Sequence, residues 1–267
     1  MMQSKGFSQG RFLLMGNAPG LQVSVITAVL NECAGLEQTL ASIISQSWKN
    51  TEVIVVDGGS TDGSLDVIQR YSSQLAYWVS EPDEGIADAM NKGVCQATGD
   101  LVLFLHAGDY FPDERALARA LEQVTELDSV WAFDILHGNA DCWRRCSPRP
   151  FNYWVWIKNP LPHQGVLCPR AVFVSLGGFD GALKISMDYD FWLRAFRSGV
   201  RLSRVPEVLA IMNDSGISSR RDWPSLAARF REERVVQARH AVAKPWNWIY
   251  RLYWPLYLAY RWLRALK

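Results

Sequence analysis

The chain has 267 residues, 49% hydrophobic and 21% charged, which suffices for one sizeable buried core with an elaborated C-terminal part. Lysine and arginine number 28 against 27 aspartates and glutamates, so no global field recruits nucleic acid or repels an anionic substrate. Five cysteines, an odd number in a chain long enough to fold without staples, fit free thiols in a reducing compartment rather than a disulfide framework.

The first 20 residues read as an N-terminal extension, whose apolar run at 12–15 is too short for the core of a signal peptide. The expectation is a cytoplasmic protein. From residue 21, short apolar runs alternate with amphipathic stretches: strands are predicted over 23–27, 53–57, 75–80 and 101–106, and helices over 35–48, 62–71 and 86–97. Strict alternation implies right-handed crossovers and a parallel sheet with helices on both faces. Residues 143–163, rich in aromatics and prolines, read as irregular. Cys142 and Cys146 in this region make one tight pair, short of the two that a zinc knuckle shows. Helices are predicted again over 170–176, 187–197 and 223–243, with an arginine-bearing loop at 218–221.

Ligands on such a sheet gather at the carboxyl ends of its strands. All four predicted ends carry polar clusters: Thr27 to Glu32, Asp57 to Gly63, Ser80 to Gly85, and His106 to Asp109. One acid in a turn is ordinary, because Asp suits turns and helix caps. Four clusters on one edge are not, since crowded like charges are costly unless a cation or ligand uses them.

Three segments, VVDGGSTDGS (55–64), SEPDEGIADAMNKG (80–93) and MDYDFWLR (187–194), resemble the inverting glycosyltransferases of family 2, and the likeness extends over about residues 22–220. It is greatest to bacterial transferases of exopolysaccharide, capsule or O-antigen assembly, of the colanic acid type. The resemblance implies an α/β GT-A fold: a Rossmann-like, mostly parallel sheet flanked by helices, with an irregular acceptor-side region and C-terminal amphipathic helices. It implies transfer of a sugar from a nucleotide sugar, a UDP-sugar in first place, to a glycan or polyprenyl-diphosphate-linked acceptor.

By the same likeness Thr27, Val29, Glu32, Asp57, Asp83, Gly85 and Asn91 surround the donor. Glu32 and Asp57 have the acceptor oxygens that a nucleoside's ring N–H and ribose hydroxyls need. Relatives often carry a second acid where Gly58 stands, so the base contact shifts to another group here. Ser60, Thr61 and Asp62 read instead as a helix cap. The family's DxD-like metal motif corresponds to His106-Ala107-Gly108-Asp109, which makes Asp109 the protein ligand of Mg2+ or Mn2+. His106 is either a further ligand or a hydrogen-bonded strand residue.

The general base that inversion requires corresponds to Asp188. The glutamate that usually precedes it is Met187, and Asp190 reads as a cap or brace. His163, in a Pro-His-Gln segment, and Arg220, in the late loop, each divide between a donor or acceptor contact and an ordinary structural or solvated role. From residue 244 the chain reads KPWNWIYRLYWPLYLAYRWLRALK, too interrupted to span a bilayer but rich in the aromatic and basic residues that favour an anionic membrane surface. The expected division is an extension at 1–20, a catalytic domain at 21–222 and a membrane-associating helical region at 223–267, peripheral on the inner face of the plasma membrane; association into a homo-oligomer is left open. Two competing classes are a nucleotidyltransferase, whose basic phosphate loop after the first strand is absent here, and a non-catalytic sugar-nucleotide-binding protein.

Overall fold

A computed structural model describes residues 20–139, 141–214, 216, 222–241 and 244–265. Strand β1 (Val23–Val29) is buried at every position, as a strand covered on both faces must be. It pairs in parallel with β2 (Thr51–Asp57) on one side and with β4 (Leu101–Phe104) on the other, and β3 (Tyr77–Ser80) extends the sheet beyond β2. Helices α1 (Cys33–Ile44), α2 (Ser64–Tyr71) and α3 (Ile86–Gln96) make the crossovers.

Alternation along the strands divides the core. Ile26, Ala28, Ile54 and Val56 cluster with Ala87, Met90 and Val94 of α3, whereas Val25, Val29, Val53 and Val55 cluster with Leu36 and Leu40 of α1 and with Val67 and Ile68 of α2. Gly93 lets α3 settle onto β1, because a Cβ there would collide with Ile26. The order β3-β2-β1-β4 reverses direction between β1 and β4, which is where such sheets open a crevice.

The second half adds α4 (Ala116–Glu122), β5 (Ser129–Asn139), β6 (Cys142–Cys146), β7 (Val166–Pro169) and β8 (Arg201–Asn213). Strand β7 joins the halves, antiparallel to both β4 and β5. Strand β8 runs parallel to β5 through a register shift near Pro206, whose missing N–H cannot continue a ladder. Helices α5 (Arg170–Ser175) and α6 (Met187–Arg197) close one face around Phe173, Phe179 and Phe191, whose ring centroids lie 4.9–5.3 Å apart. Helix α7 (Trp223–His240) packs on α6. Helix α8 (Lys244–Ala265) shares a small apolar cluster with α7 through Leu226, Phe230, Tyr250 and Trp254.

The predicted α/β class and the first seven elements are present. Two predictions change. The fourth strand stops at Phe104, which leaves His106 in a loop, and the region expected to be irregular contributes β6. Among the described residues no helix is long and apolar enough to cross a membrane.

Candidate active site

The loops after β1, β2 and β3 are stitched to one another by their own short polar side chains. Asn31, held at φ +53°, receives Thr61 N–H on Oδ1 at 2.8 Å, and its own N–H donates to Ser60 Oγ at 2.8 Å. Asp57 is wholly buried; Ser60 donates to it from both N–H and Oγ, and Ser80 Oγ donates to Oδ2 at 2.6 Å. Its carboxylate therefore binds the ends of β2 and β3 together, and Ser60 carries the link on to Asn31 after β1. Asp62 accepts from Ser64 N and Oγ and from Cys33 N, which ties the first residue of α2 to the first residue of α1.

Three predicted donor residues turn their side chains elsewhere. Thr27 and Val29 point into the core, so any contact they make is through backbone; Val29 O already accepts Gly58 N–H. Asn91 spends both amide atoms on the backbone of Phe179, at 2.8 and 2.9 Å, and braces α3 against the turn that precedes α6. Arg220 lies outside the described residues. Glu32 is exposed and folds over Gly35, while Asp83 and Gly85 form the turn that opens α3, with Gly85 at φ +121°.

Deeper in the crevice Thr39 fastens the segment after β4: its Oγ1 donates among the carbonyls of Gly35, His106 and Asp109 and accepts Gly108 N–H. Asp109 is buried, and its oxygens accept Gln164 Nε2 at 3.1 Å and Asn213 N–H at 3.3 Å. Burial outweighs these bonds and pushes its carboxyl up to about 6. His106 packs edge-on against His163, with centroids 5.0 Å apart. Neither ring nitrogen of His106 has a hydrogen-bond partner, so it is not the bonded strand residue the sequence allowed. Burial, reinforced by His163, holds its pKa well below the ordinary histidine range and keeps it neutral.

His163 Nδ1 stands 3.6 Å from Asp188 Oδ2, which accepts Asn159 Nδ2 at 2.8 Å. The turn holding His163 and Gln164 thus reaches Asp188 with one side chain and Asp109 with the next. Asp188 sits in the first turn of α6, where the helix dipole favours a carboxylate. Asp190 faces away, paired with Arg194 Nε and His240 Nε2, each at 2.8 Å. Glu232 of α7 accepts the N–H groups of Lys184, Ile185 and Ser186 and so fixes the approach to α6.

Sequence reasoning missed Asn159, Thr39, Glu232 and Lys184, the last of which reaches Glu84 O beside Gly85. All four act across long sequence separations, and none belongs to a motif. A divalent cation suits Asp109, a buried carboxylate of raised pKa with the unpartnered imidazole of His106 in the same loop. Among the described residues no cluster of three protein ligands exists, so phosphate and water oxygens would complete the shell.

A parallel-to-mixed sheet with acids gathered at its strand ends is the arrangement of the GT-A fold. The chain belongs to glycosyl transferase family 2, whose profile matches residues 24–175. An uncharacterized glycosyltransferase of Mycobacterium tuberculosis is 36% identical over 189 residues, which cover 68% of this chain and 70% of the relative. A PGL/p-HBAD biosynthesis glycosyltransferase of Mycobacterium bovis is 30% identical over 206 residues, 72% of this chain and 77% of the relative. Staphylococcus aureus TarS superimposes with a TM-score of 0.64 at 21% identity, over 84% of this chain and 40% of TarS, so the chain spans less than half the length of that protein. The Pyrobaculum calidifontis mannosyltransferase PcManGT, solved with GDP-Man and Mn2+, superimposes with a TM-score of 0.61 at 21% identity, over 89% of this chain and 75% of PcManGT.

Proposed function

We propose that the chain transfers a sugar, with inversion, from a nucleoside diphosphate sugar to a hydroxyl of a glycan or polyprenyl-diphosphate-linked saccharide in bacterial surface polysaccharide synthesis. A UDP-sugar is the preferred donor, as in a TarS structure solved with UDP-GlcNAc. The observation that carries this reading is the turn at His163 and Gln164, which joins Asp109 on the donor side to Asp188 on the acceptor side.

Asp188 is the base: it takes the acceptor hydroxyl's proton while that oxygen attacks the anomeric carbon and the nucleoside diphosphate departs. Asn159 orients it by donating to Oδ2. Asp109, with His106 beside it, would hold Mg2+ or Mn2+, which supplies Lewis-acid stabilisation of the diphosphate. Glu32, Asp57, Asp83 and Gly85 shape the donor pocket, Asp57 by organising the loops. Helices α7 and α8 form a C-terminal region that seats the protein peripherally on the inner face of the membrane.

The test is to incubate the protein with a panel of nucleotide sugars, with and without metal, and to follow nucleotide release and the anomeric configuration of the product by NMR. Metal-dependent release with inversion supports the reading. Retention of configuration, or no release from any donor, would sink it.

A further inference from the structure

Helix α8 meets residues 156–158 through charge as well as packing. Lys158 Nζ donates to the Tyr257 hydroxyl at 2.9 Å, and Arg261 Nη1 donates to the same oxygen at 3.1 Å. Both cations are half-buried, and neither has a carboxylate within salt-bridge distance among the described residues. Glu233, the acid of this corner, stands 3.7 Å from Arg229 Nε, and no acid follows it in the sequence. A neutral phenol is a poor counter-charge for two cations. Burial alone would raise the Tyr257 hydroxyl, yet Lys158 and Arg261 hold it below the ordinary tyrosine range, so the field at that oxygen is positive. Aromatic rings keep the cations in place: Lys158 Nζ lies 4.7 Å from the Tyr257 centroid, and the Arg261 guanidinium 5.6 Å from that of Phe230. Their remaining N–H donors have no acceptor among the described residues, so an anion can be bound without prior rearrangement.

The pair also stands near the chemistry. Asn159, next in the chain after Lys158, donates to Asp188 Oδ2 at 2.8 Å. Burial pushes the Glu233 carboxyl up and Asp188 adds to that rise, so the field of Asp188 extends into the cluster. On the helical period Tyr257 and Arg261 fall on the side of α8 away from the exposed Leu252 and Leu256, so an anion held there lies toward Asp188 and not among bilayer headgroups. We infer that Lys158 and Arg261 receive a phosphate of the acceptor's lipid diphosphate, which leaves the attached saccharide to reach Asp188. This inference rests on the acceptor class of the proposed function. A phosphate has several acceptor oxygens and full negative charge, so it takes charge-assisted bonds from the ammonium and the guanidinium at once, which a saccharide hydroxyl cannot match.

The test is calorimetric titration of the full chain with geranyl diphosphate and with geraniol, in EDTA so that no diphosphate binds through metal at Asp109. The proteins are the wild type, Lys158→Gln/Arg261→Gln and the charge-conserving Lys158→Arg/Arg261→Lys. The wild type should bind geranyl diphosphate more tightly than geraniol. Lys158→Gln/Arg261→Gln should lose about 10- to 100-fold in affinity for the diphosphate with geraniol unaffected, and the charge-conserving variant should keep most of it. Diphosphate affinity that survives in Lys158→Gln/Arg261→Gln would overturn the inference, as would equal loss in the charge-conserving variant, which would mean that the cations act through packing. Sedimentation with phosphatidylglycerol vesicles should persist in Lys158→Gln/Arg261→Gln, because the outer stripe is intact; its loss would assign the cations to bilayer headgroups and refute the acceptor site. UDP with Mn2+, titrated on the same preparations, reports the donor side separately. A wild type that binds UDP but not geranyl diphosphate overturns this inference alone, whereas one that binds geranyl diphosphate but no nucleotide overturns the donor reading and leaves the phosphate site standing.

Discussion

Asp188 and Asp190 stand two positions apart on one helix and meet opposite surroundings. Asp188 opens toward His163 and Asn159, with no cation paired to it among the described residues; Asp190 is closed by Arg194 and His240, whose hydrogen bonds overcome burial and hold its carboxyl below the usual range. Asp188→Asn should therefore leave donor and metal affinity near wild type while transfer falls about 10²- to 10⁴-fold, as measured by single-turnover kinetics. Asp190→Asn is the control: breaking this buried pairing should cost about 3 kcal/mol of stability, read from denaturant unfolding. Loss of transfer in Asp190→Asn with none in Asp188→Asn would move the base by two residues. Asp188 and Asp109 could be singled out in the sequence because each lies in a short motif at an element boundary, and the structure places both beside the turn at His163 and Gln164. Thr27 and Val29 are buried and Asn91 bonds the Phe179 backbone, orientations that a one-dimensional motif does not give.

Helix α6 begins without a side chain of its own at its cap. Glu232 supplies the missing acceptors from α7, bonding three successive N–H groups just ahead of the helix. Glu232→Ala should lower the melting temperature and also reduce kcat, because the loop that aims Asp188 loses its tether; a drop in stability with kcat unchanged would confine Glu232 to structure. The other telling element is α8. Trp248, Leu252, Leu256 and Tyr260 recur every four residues on its open side and are 50–72% exposed, counting the neighbouring Trp262, and no acid follows Glu233 in the sequence. Its inner side is fastened: Tyr250 donates to Trp156 O, Lys158 to the Tyr257 hydroxyl, and Trp254 to Gln237. Since truncation would also unfasten residues 156–158, point changes are the cleaner probe. Leu252→Glu/Leu256→Glu should abolish sedimentation with phosphatidylglycerol vesicles while activity on a soluble acceptor is retained. Equal sedimentation would refute the membrane role. The early elements were readable because β1 to β4 alternate with amphipathic helices and have β-branched interiors. Strands β5 and β8 escaped: β8 carries Pro206, and only Leu209 and Ala210 are buried along it, so neither periodicity stands out.

For the molecule as a whole, Asp109 links the chemistry to the stability of the fold. Its carboxyl titrates near 3.8 when unfolded and near 6 when buried, so between those values the native state holds a proton that the unfolded chain has released. That contribution to stability is complete below about pH 4 and is lost by about pH 6, a change of roughly 3 kcal/mol. Asp109→Asn should remove this slope from the melting-temperature profile of the metal-free protein and also abolish metal-dependent turnover. A slope that survives the substitution would assign it to another group. The fastening of α8 has a consequence of a different kind. Its inner side grips residues 156–158, and Asn159, next in the chain, holds Asp188, so a molecule lying on a bilayer through the outer stripe would have its reaction centre turned at one fixed attitude to the lipid headgroups. The hunt for a lipid-anchored acceptor would then take place in two dimensions instead of three. The rate would follow the number of acceptors per unit of membrane area, and diluting the vesicles at constant lipid composition would leave it unchanged.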